Sequence, residues 1–120
     1  MNFAKTISIG KDLDELVRKE RNLLAFRIDG RLIRETPVDS GEARINWVVS
    51  DGQPNNQHLD YGGSASVALS QGVDEIESAK TYTQLYIQNN APHIERLNEG
   101  WSEQAPSGYI DAIIEQEVRR

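Results

Sequence analysis

The chain has 120 residues, enough for one domain with one hydrophobic core. With 38% hydrophobic and 27% charged residues, it has neither the composition of a membrane-spanning chain nor that of a disordered one. The absence of cysteine excludes disulfides, thiolate nucleophiles and cysteine-ligated metals. We therefore expect one soluble domain over residues 1–120. Cytoplasmic synthesis is expected because the N-terminal MNFAKTISIGK lacks the long apolar region of a secretory signal.

The net charge of -6 is spread unevenly along the chain. Residues 11–36 carry seven basic and six acidic side chains, whereas residues 37–118 carry three basic and 13 acidic ones, a local charge of -10. Proteins that grip nucleic-acid phosphates present a basic surface. The charge distribution therefore argues against phosphate binding by the acidic part of the chain.

The first predicted element is a long helix over residues 12–35. Helix-forming residues dominate it, and acidic side chains near its start complement the helix dipole. Thr36 and Pro37 end it, because proline cannot continue the helical hydrogen bonding. Projected at about 100° per residue, its apolar side chains form a stripe that we predict to be the core face. This stripe consists of Leu13, Leu16, Val17, Leu24, Ile28 and, at its edge, Leu32.

Two other apolar residues of this helix, Phe26 and Ile33, project to nearly the opposite side, and Arg27 and Arg31 fall within or beside the stripe. Two interpretations fit this pattern. Either the long helix overhangs a small domain and leaves its ends partly solvated, or it is buried on both sides, once by its own domain and once by a neighbouring subunit. The second interpretation makes Phe26 and Ile33 candidate subunit-interface residues.

The next segments alternate between turns and short regular elements. Residues 39–41 predict a turn that caps a short helical segment at 41–45. Residues 45–52 have the β-branched and aromatic content of a strand that ends in a turn. The polar residues 53–63 predict an exposed loop.

The C-terminal half predicts further helices around a second strand. Residues 64–80 have helical periodicity, and residues 81–89 predict a strand. Asn90 is a candidate N-cap for a helical turn that runs to about Asn98. An amphipathic terminal helix is predicted from Tyr109, with a strand as the alternative because of its β-branched content. The predicted fold class is α+β: a long N-terminal helix packed on a small, mainly antiparallel sheet with further short helices.

Neither histidine has a set of partners typical of a metal or catalytic site. His58 with Asp60, and His93 with Glu95, each offer two ligands, whereas a zinc site needs three or four. Ser40 is followed by Gly-Glu-Ala, which lacks the glycine pattern of a nucleophile elbow, so we interpret it as a turn or cap residue.

The remaining candidates for chemistry also favour structural roles. Gly62 and Gly63 precede a helix, but the lysine and hydroxyl of a phosphate-binding loop are missing. Trp47 and Trp101 are interpreted as core or interface anchors. Arg44 is expected to pair with a carboxylate. The sequence therefore predicts a non-enzymatic interaction domain with no catalytic, cofactor-binding or metal-binding residues.

Two compound motifs carry a resemblance to a known family. The segments TPVDSGEARINW at 36–47 and NNAPHIERLNEGWSEQAPSG at 89–108 resemble the small tail-completion or neck proteins of tailed bacteriophages and prophages, related to the minor tail protein Z type. This chain departs from the family pattern at Ser40, where threonine is usual, at His93, where tyrosine is usual, and at Asn98-Glu99, where a different order with a single acidic residue is more common. The matching residues are Thr36, Pro37, Val38, Asp39, Gly41, Arg44 and Trp47 in the first segment, and Asn89, Asn90, Pro92, Leu97, Gly100, Trp101, Ser102, Gln104, Ala105, Pro106 and Gly108 in the second.

The resemblance implies a structural virion protein of the neck that acts in tail completion and head-tail joining. It implies a homo-oligomeric ring, most often a hexamer, in contact with other neck, connector and tail-tube proteins and not with a membrane. DNA would pass through the ring without specific binding, and an acidic channel wall would keep phosphates from adhering. A tail terminator or a minor capsid component on the same fold is the alternative. A small hydrolase or a host-directed binding protein is the remote one.

Overall fold

The computed structural model describes residues 9–38, 42–58 and 64–120. The described residues form an α+β fold, in which a long N-terminal helix packs on a two-stranded antiparallel sheet and on shorter helices. The predicted fold class is confirmed. The elements are α1 (Ile9–Glu35), α2 (Glu42–Ile45), β1 (Trp47–Asp51), α3 (Ala65–Ser78), β2 (Leu85–Asn89), α4 (Ile94–Asn98) and α5 (Tyr109–Val118).

The long helix α1 ends where the sequence predicts. Its 27 residues span about 40 Å. The amide of Thr36 donates to the carbonyl of Leu32 at 3.1 Å, and Pro37 follows without an N–H to offer. The first residues of the helix extend past the buried core, because the α1 members of the core clusters begin at Ala25. Within one chain the N-terminal part of the helix therefore overhangs the core, and its burial by a neighbouring subunit stays a prediction.

The predicted core face of α1 is wrong for its N-terminal half. Leu13, Leu16 and Val17 are 53%, 54% and 40% exposed. Leu24 and Ile28 are half-buried, and only Leu32 is fully buried as expected. The apolar stripe followed the residues of highest hydropathy, many of which lie on the part of the helix that nothing in the described core covers.

The buried face of α1 is turned by roughly a third of a turn from the predicted one. It is centred on Asn22, Asp29 and Thr36, three buried polar residues spaced seven apart. Ala25 and Ile33 lie between them and are also buried. Polar residues at the centre of a core face weaken its hydrophobic periodicity, so the apolar-stripe criterion does not find it.

Ile33 is a core residue, which corrects its assignment as a subunit-interface candidate. It is 2% exposed and belongs to the main buried cluster of its own chain. Phe26, the other candidate, is half-buried and packs against the smaller cluster of Ala25, Val49 and Ile76. Phe26 therefore keeps part of its ring available to a neighbour, whereas Ile33 does not.

The sheet pairs β1 with β2 in antiparallel register. Trp47 lies opposite Asn89 and Asp51 opposite Leu85. Both strands are shorter than predicted. Residue 45 belongs to α2. Residues 81–84 form a turn, and the carbonyls of Thr81 and Thr83 accept hydrogen bonds from Arg21 of α1.

The free edge of β1 is covered by a side chain of α3. Gln71 accepts a hydrogen bond from the amide of Val49 at 3.1 Å and donates to the carbonyl of the same residue at 2.8 Å. The side-chain amide of Gln71 thus bonds to the strand edge as a third strand would, and it prevents another extended chain from pairing with Val49 there.

The helix α3 begins as predicted, since the Ser64 hydroxyl accepts a hydrogen bond from the amide of Val67 at 3.2 Å. The C-terminal segment α5 is a helix, not the alternative strand. Within the ranges that the structure describes, no helix is both long enough and apolar enough to cross a membrane.

The main buried cluster joins all five helices and β1 and contains Leu32, Ile33, Ala43, Trp47, Ala68, Ala91, Leu97, Ala105, Tyr109 and Ile113.

Candidate functional site

The first motif segment meets the residue that directly follows the second, Tyr109, at the hydroxyl of Thr36. This oxygen donates to the carbonyl of Leu32 at 2.6 Å and accepts a hydrogen bond from the indole N–H of Trp47 at 2.8 Å. The Tyr109 hydroxyl donates to it at 3.4 Å, and burial raises the pKa of that tyrosine. Thr36, Trp47 and Tyr109 are all buried. One hydroxyl thus joins the end of α1, the start of β1 and the start of α5.

Arg44 closes the C-terminal end of α1. Its guanidinium donates to the carbonyl of Thr36 at 2.9 and 3.2 Å and to the carbonyl of Arg34 at 3.0 Å. Carbonyls at a helix C-terminus lack helical partners and carry partial negative charge. The sequence-based expectation was a carboxylate partner, and the structure gives backbone carbonyls instead.

The second motif segment binds the backbone of Val38, three residues after the end of α1. The side-chain oxygen of Gln104 accepts a hydrogen bond from the amide of Val38 at 2.9 Å. The backbone N–H of Gln104 donates in turn to the hydroxyl of the buried Ser102 at 3.2 Å. Ala105 lies beside it in the core. These contacts link residues 66 positions apart in the chain.

Gly100 and Trp101 terminate α4 in a Schellman motif. The amide of Trp101 bonds to the carbonyl of Arg96, the amide of Gly100 bonds to that of Leu97, and Gly100 has a φ of 92°. A side chain at this glycine would also crowd Ser107, at 3.1 Å from its Cβ. The Trp101 ring is 68% exposed and is covered on one face by the Arg96 guanidinium, 5.0 Å from the ring centroid. Trp101 is therefore not a core anchor in this chain.

Asn89 and Asn90 tie β2 to neighbouring segments. Asn89 donates to the carbonyl of Ala43 at 2.6 Å, and Asn90 donates to the carbonyls of Asn55 and Gln57 at 2.8 and 2.9 Å. Asn90 is not the N-cap of α4, because that helix begins at Ile94 and the Asn90 side-chain oxygen accepts from Gln88 instead. The cap position is occupied by His93, which makes no side-chain cap bond, and Pro92 lies exposed before it.

Gly108 sets the start of α5 with a φ of 76°. Its amide bonds to the carbonyl of Asn98, and the Asn98 side-chain oxygen accepts from the amide of Ile110 at 3.0 Å. The carbonyl of Pro106 accepts from the amide of Tyr109 at 3.2 Å. The matched residues that the structure describes therefore act mainly through backbone hydrogen bonds. Asp39, Ser40 and Gly41 lie outside the described residues.

A cleft of about 410 Å³ runs between the end of α1, the second motif segment and α5. Its lining mixes apolar side chains with guanidinium and amide groups and the carboxylate of Glu35. It is lined mainly by Arg31, Arg34, Pro37, Arg44, Gln104, Pro106, Tyr109, Ala112 and Gln116. We call the contacts of Thr36, Arg44, Trp47, Gln104 and Tyr109 around this cleft the motif joint.

A buried glutamate fastens α5 to α1 beside the motif joint. Glu117 lies 3.0 Å from Arg31, 3.2 Å from Arg27 and 3.2 Å from Arg120. The hydrogen bond from Arg31 is the main cause that lowers the pKa of Glu117. Glu117 thus pairs with both arginines that the sequence placed within or beside the core stripe, although local spacing could not identify it as their partner. Arg31 also pairs with Glu35, one turn along α1, at 2.6 Å.

The candidates for chemistry remain apart. His58 lies 2.8 Å from Glu42, and His93 lies in the turn before α4. Across 9–38, 42–58 and 64–120, no group of three or more histidine, aspartate or glutamate side chains could hold a metal ion. Asp60, Gly62 and Gly63 lie outside these ranges.

Sequence reasoning missed three residues that organise this fold. Asp29 is buried in the core face of α1, Gly72 of α3 lies against its carboxyl group, and Glu117 pairs with arginines of α1. The seven-residue spacing of Asn22, Asp29 and Thr36 was the one signal present.

Comparison with protein-family models, with curated proteins and with solved structures finds no significant match.

Proposed function

We propose that this chain is a structural virion protein of a tailed phage or prophage, which acts in tail completion and head-tail joining as a subunit of a ring. The resemblance of residues 36–47 and 89–108 to tail-completion proteins carries the proposal. Its support from geometry is that these two segments, distant in sequence, converge on the motif joint and make structural contacts there. A role in fixing the shape of a subunit explains such contacts better than a role in a reaction.

The N-terminal part of α1 offers a surface for a neighbouring subunit. Leu13, Leu16 and Val17 are exposed on one side of a helix that projects past the core, and Leu23 continues the apolar surface at 47% exposure. Closed rings use heterologous contacts, in which one patch meets a different patch of the next copy. A projecting apolar helix suits such a contact, because burial of its leucines releases apolar surface from water.

The acidic charge suits a wall around DNA. Exposed carboxylates occur on α3, on α4 and on α5, as Asp74, Glu77, Glu95, Glu99, Asp111 and Glu115. Like charge prevents phosphates from adhering while DNA passes. The proposed partners are further copies of this chain and the connector and tail-tube proteins on either side, and DNA is a passing molecule that is not specifically bound.

Negative-stain imaging of the purified protein, alone and mixed with tail tubes or with filled heads, tests the proposal. A ring that caps one end of the tube or the head vertex is the expected result. A persistent monomer that binds neither particle would contradict it.

The role of the projecting helix is tested with Leu16→Asp. We expect a folded protein by circular dichroism that forms fewer rings. Leu69→Asp is the matched control, since Leu69 is an exposed leucine on α3, at 42%. Equal loss of rings in both variants would assign the effect to added charge and refute the α1 contact.

A further inference from the structure

An aspartate of α1 packs directly against a glycine of α3. Asp29 is 2% exposed, and one oxygen of its carboxyl group lies against Gly72 of α3. A Cβ added at Gly72 would collide with this oxygen and would come within 3.3 Å of the Val49 side chain on β1. The missing side chain of the glycine therefore creates the space that the carboxyl group fills.

The other oxygen of this carboxyl group, Oδ1, is buried and makes no hydrogen bond to any described group. The residues one turn before and after Asp29 on α1 are all apolar: Ala25, Phe26, Leu32 and Ile33. A buried carboxylate without a partner is far less stable than a neutral carboxylic acid in the same place. The geometry therefore favours the neutral form.

Charged groups of the neighbouring elements are engaged or directed elsewhere. Asp51 on β1 accepts the amide of Lys80 at 3.2 Å, and Arg21 of α1 binds carbonyls of the 80–83 turn. Asp74 and Glu77 of α3 are exposed and Glu75 is half-buried, and Tyr86 of β2 donates to Gln84 at 2.9 Å. Burial is accordingly the cause that raises the pKa of Asp29 from its ordinary 3.8 to about 7.

We propose that Asp29 makes the α1–α3 contact depend on a proton: the neutral acid lets the two helices close over it, and its ionisation loosens them. An ionised Asp29 needs water at its carboxylate oxygens, and separation of α1 from α3 at Gly72, which lies against one of these oxygens, would admit it. The segment released by this opening is α3, whose buried residues Ala68, Gly72 and Ile76 face the core.

The direction of the pH dependence follows from linkage. Because the folded state holds the Asp29 proton more tightly than the unfolded state, its contribution to stability is complete below about pH 3.8 and falls as the pH rises to about 7. Within that window each pH unit raises the unfolding equilibrium constant about tenfold, and above it the effect is constant. Ordinary carboxylates that form ion pairs act in the opposite direction.

The test compares wild type with Asp29→Asn, which keeps the shape of the group and cannot ionise. Unfolding by urea is measured from about pH 4.5 to about pH 8, and the ratio of the wild-type to the variant unfolding constant is plotted. We expect this ratio to rise about tenfold per pH unit up to about pH 6.5 and to level off above pH 7.5 or so. Asp74→Asn, the exposed control on α3, should give a constant ratio. A constant ratio for Asp29→Asn would overturn the proposal.

A second measurement uses the wild type and does not depend on the folding of a variant. Hydrogen exchange of backbone amides is followed at about pH 6 and about pH 8 and corrected for the intrinsic effect of pH on exchange. We expect α3 and the facing half of α1 to lose protection at the higher pH, with α5 less affected. Equal loss in α3 and α5, or no loss in either, would contradict a local opening at Asp29.

Discussion

Replacement of Thr36 by valine tests whether the motif joint depends on one hydroxyl. The substitution keeps the shape of the side chain and removes the oxygen that accepts from the Trp47 indole at 2.8 Å and from the Tyr109 hydroxyl at 3.4 Å. Both donors are buried within the core. They would lose a partner without gaining access to water.

The cost follows from the burial of these donors. A buried donor left without an acceptor costs about 1–3 kcal/mol, and the Trp47 contact, short and fully buried, accounts for most of it. We expect Thr36→Val to lower the free energy of unfolding by about 2 kcal/mol. For a domain of this size, that corresponds to a decrease in Tm of roughly 8 °C.

The assay is urea unfolding followed by far-ultraviolet circular dichroism, with Thr36→Ser as the control that keeps the oxygen and removes the methyl group. In a Trp47→Phe background the indole donor is gone, so Thr36→Val should cost about 1 kcal/mol less than it does in the wild type. If Thr36→Ser were as destabilising as Thr36→Val, or if the Trp47→Phe background left the cost unchanged, the hydroxyl would not be the centre of the joint.

Three further changes test other contacts of the fold. Gly100→Ala should destabilise by about 1–2 kcal/mol in urea unfolding, because its φ of 92° strains any side chain, and a neutral effect would refute the Schellman assignment. For Glu117→Gln, the folded pKa is lowered chiefly by Arg31, so the stabilisation exists above the ordinary carboxylate pKa and is lost as the pH falls. Acid unfolding followed by circular dichroism should therefore show a smaller pH dependence in the variant than in the wild type, and equal curves would contradict the pairing. Ile33→Asp should abolish cooperative thermal unfolding, whereas Leu16→Asp should stay within about 0.5 kcal/mol of wild type; similar melting of both would contradict the assigned core face.

Local signals in the sequence were sufficient for most elements. Proline after Thr36 ends α1, Ser64 caps α3, and β-branched residues around Val49 form β1, as predicted. Each depends on the backbone of a few neighbouring residues, and such preferences act wherever the segment lies in the fold. The order of the elements and the type of most of them could therefore be predicted before any contact was known, whereas the type of α5 was left open between helix and strand.

Partners distant in sequence could not be determined in this way. Asn90 has the side chain of an N-cap, yet it holds the 53–58 loop, and Arg44 binds carbonyls of α1 where a carboxylate was expected. A polar side chain satisfies the same hydrogen-bonding needs with many partners, and the chain path decides which one is near. The contact between the two segments, from the amide of Val38 to the side chain of Gln104, likewise could not be predicted from the sequence.

The orientation of α1 gives the clearest division between the two sources of information. Helix-forming residues and a closing proline were enough to predict a helix over residues 12–35 with apolar residues on two sides. Packing against the other elements sets which side is buried: the face of Asn22, Asp29 and Thr36 is covered, while Leu13 and Leu16 stay exposed. Helix formation depends on local backbone energetics. Burial depends on which surface the other elements cover and on whether each polar group there is hydrogen-bonded, as Thr36 is, or can be held neutral in a space of its size, as we propose for Asp29 beside Gly72.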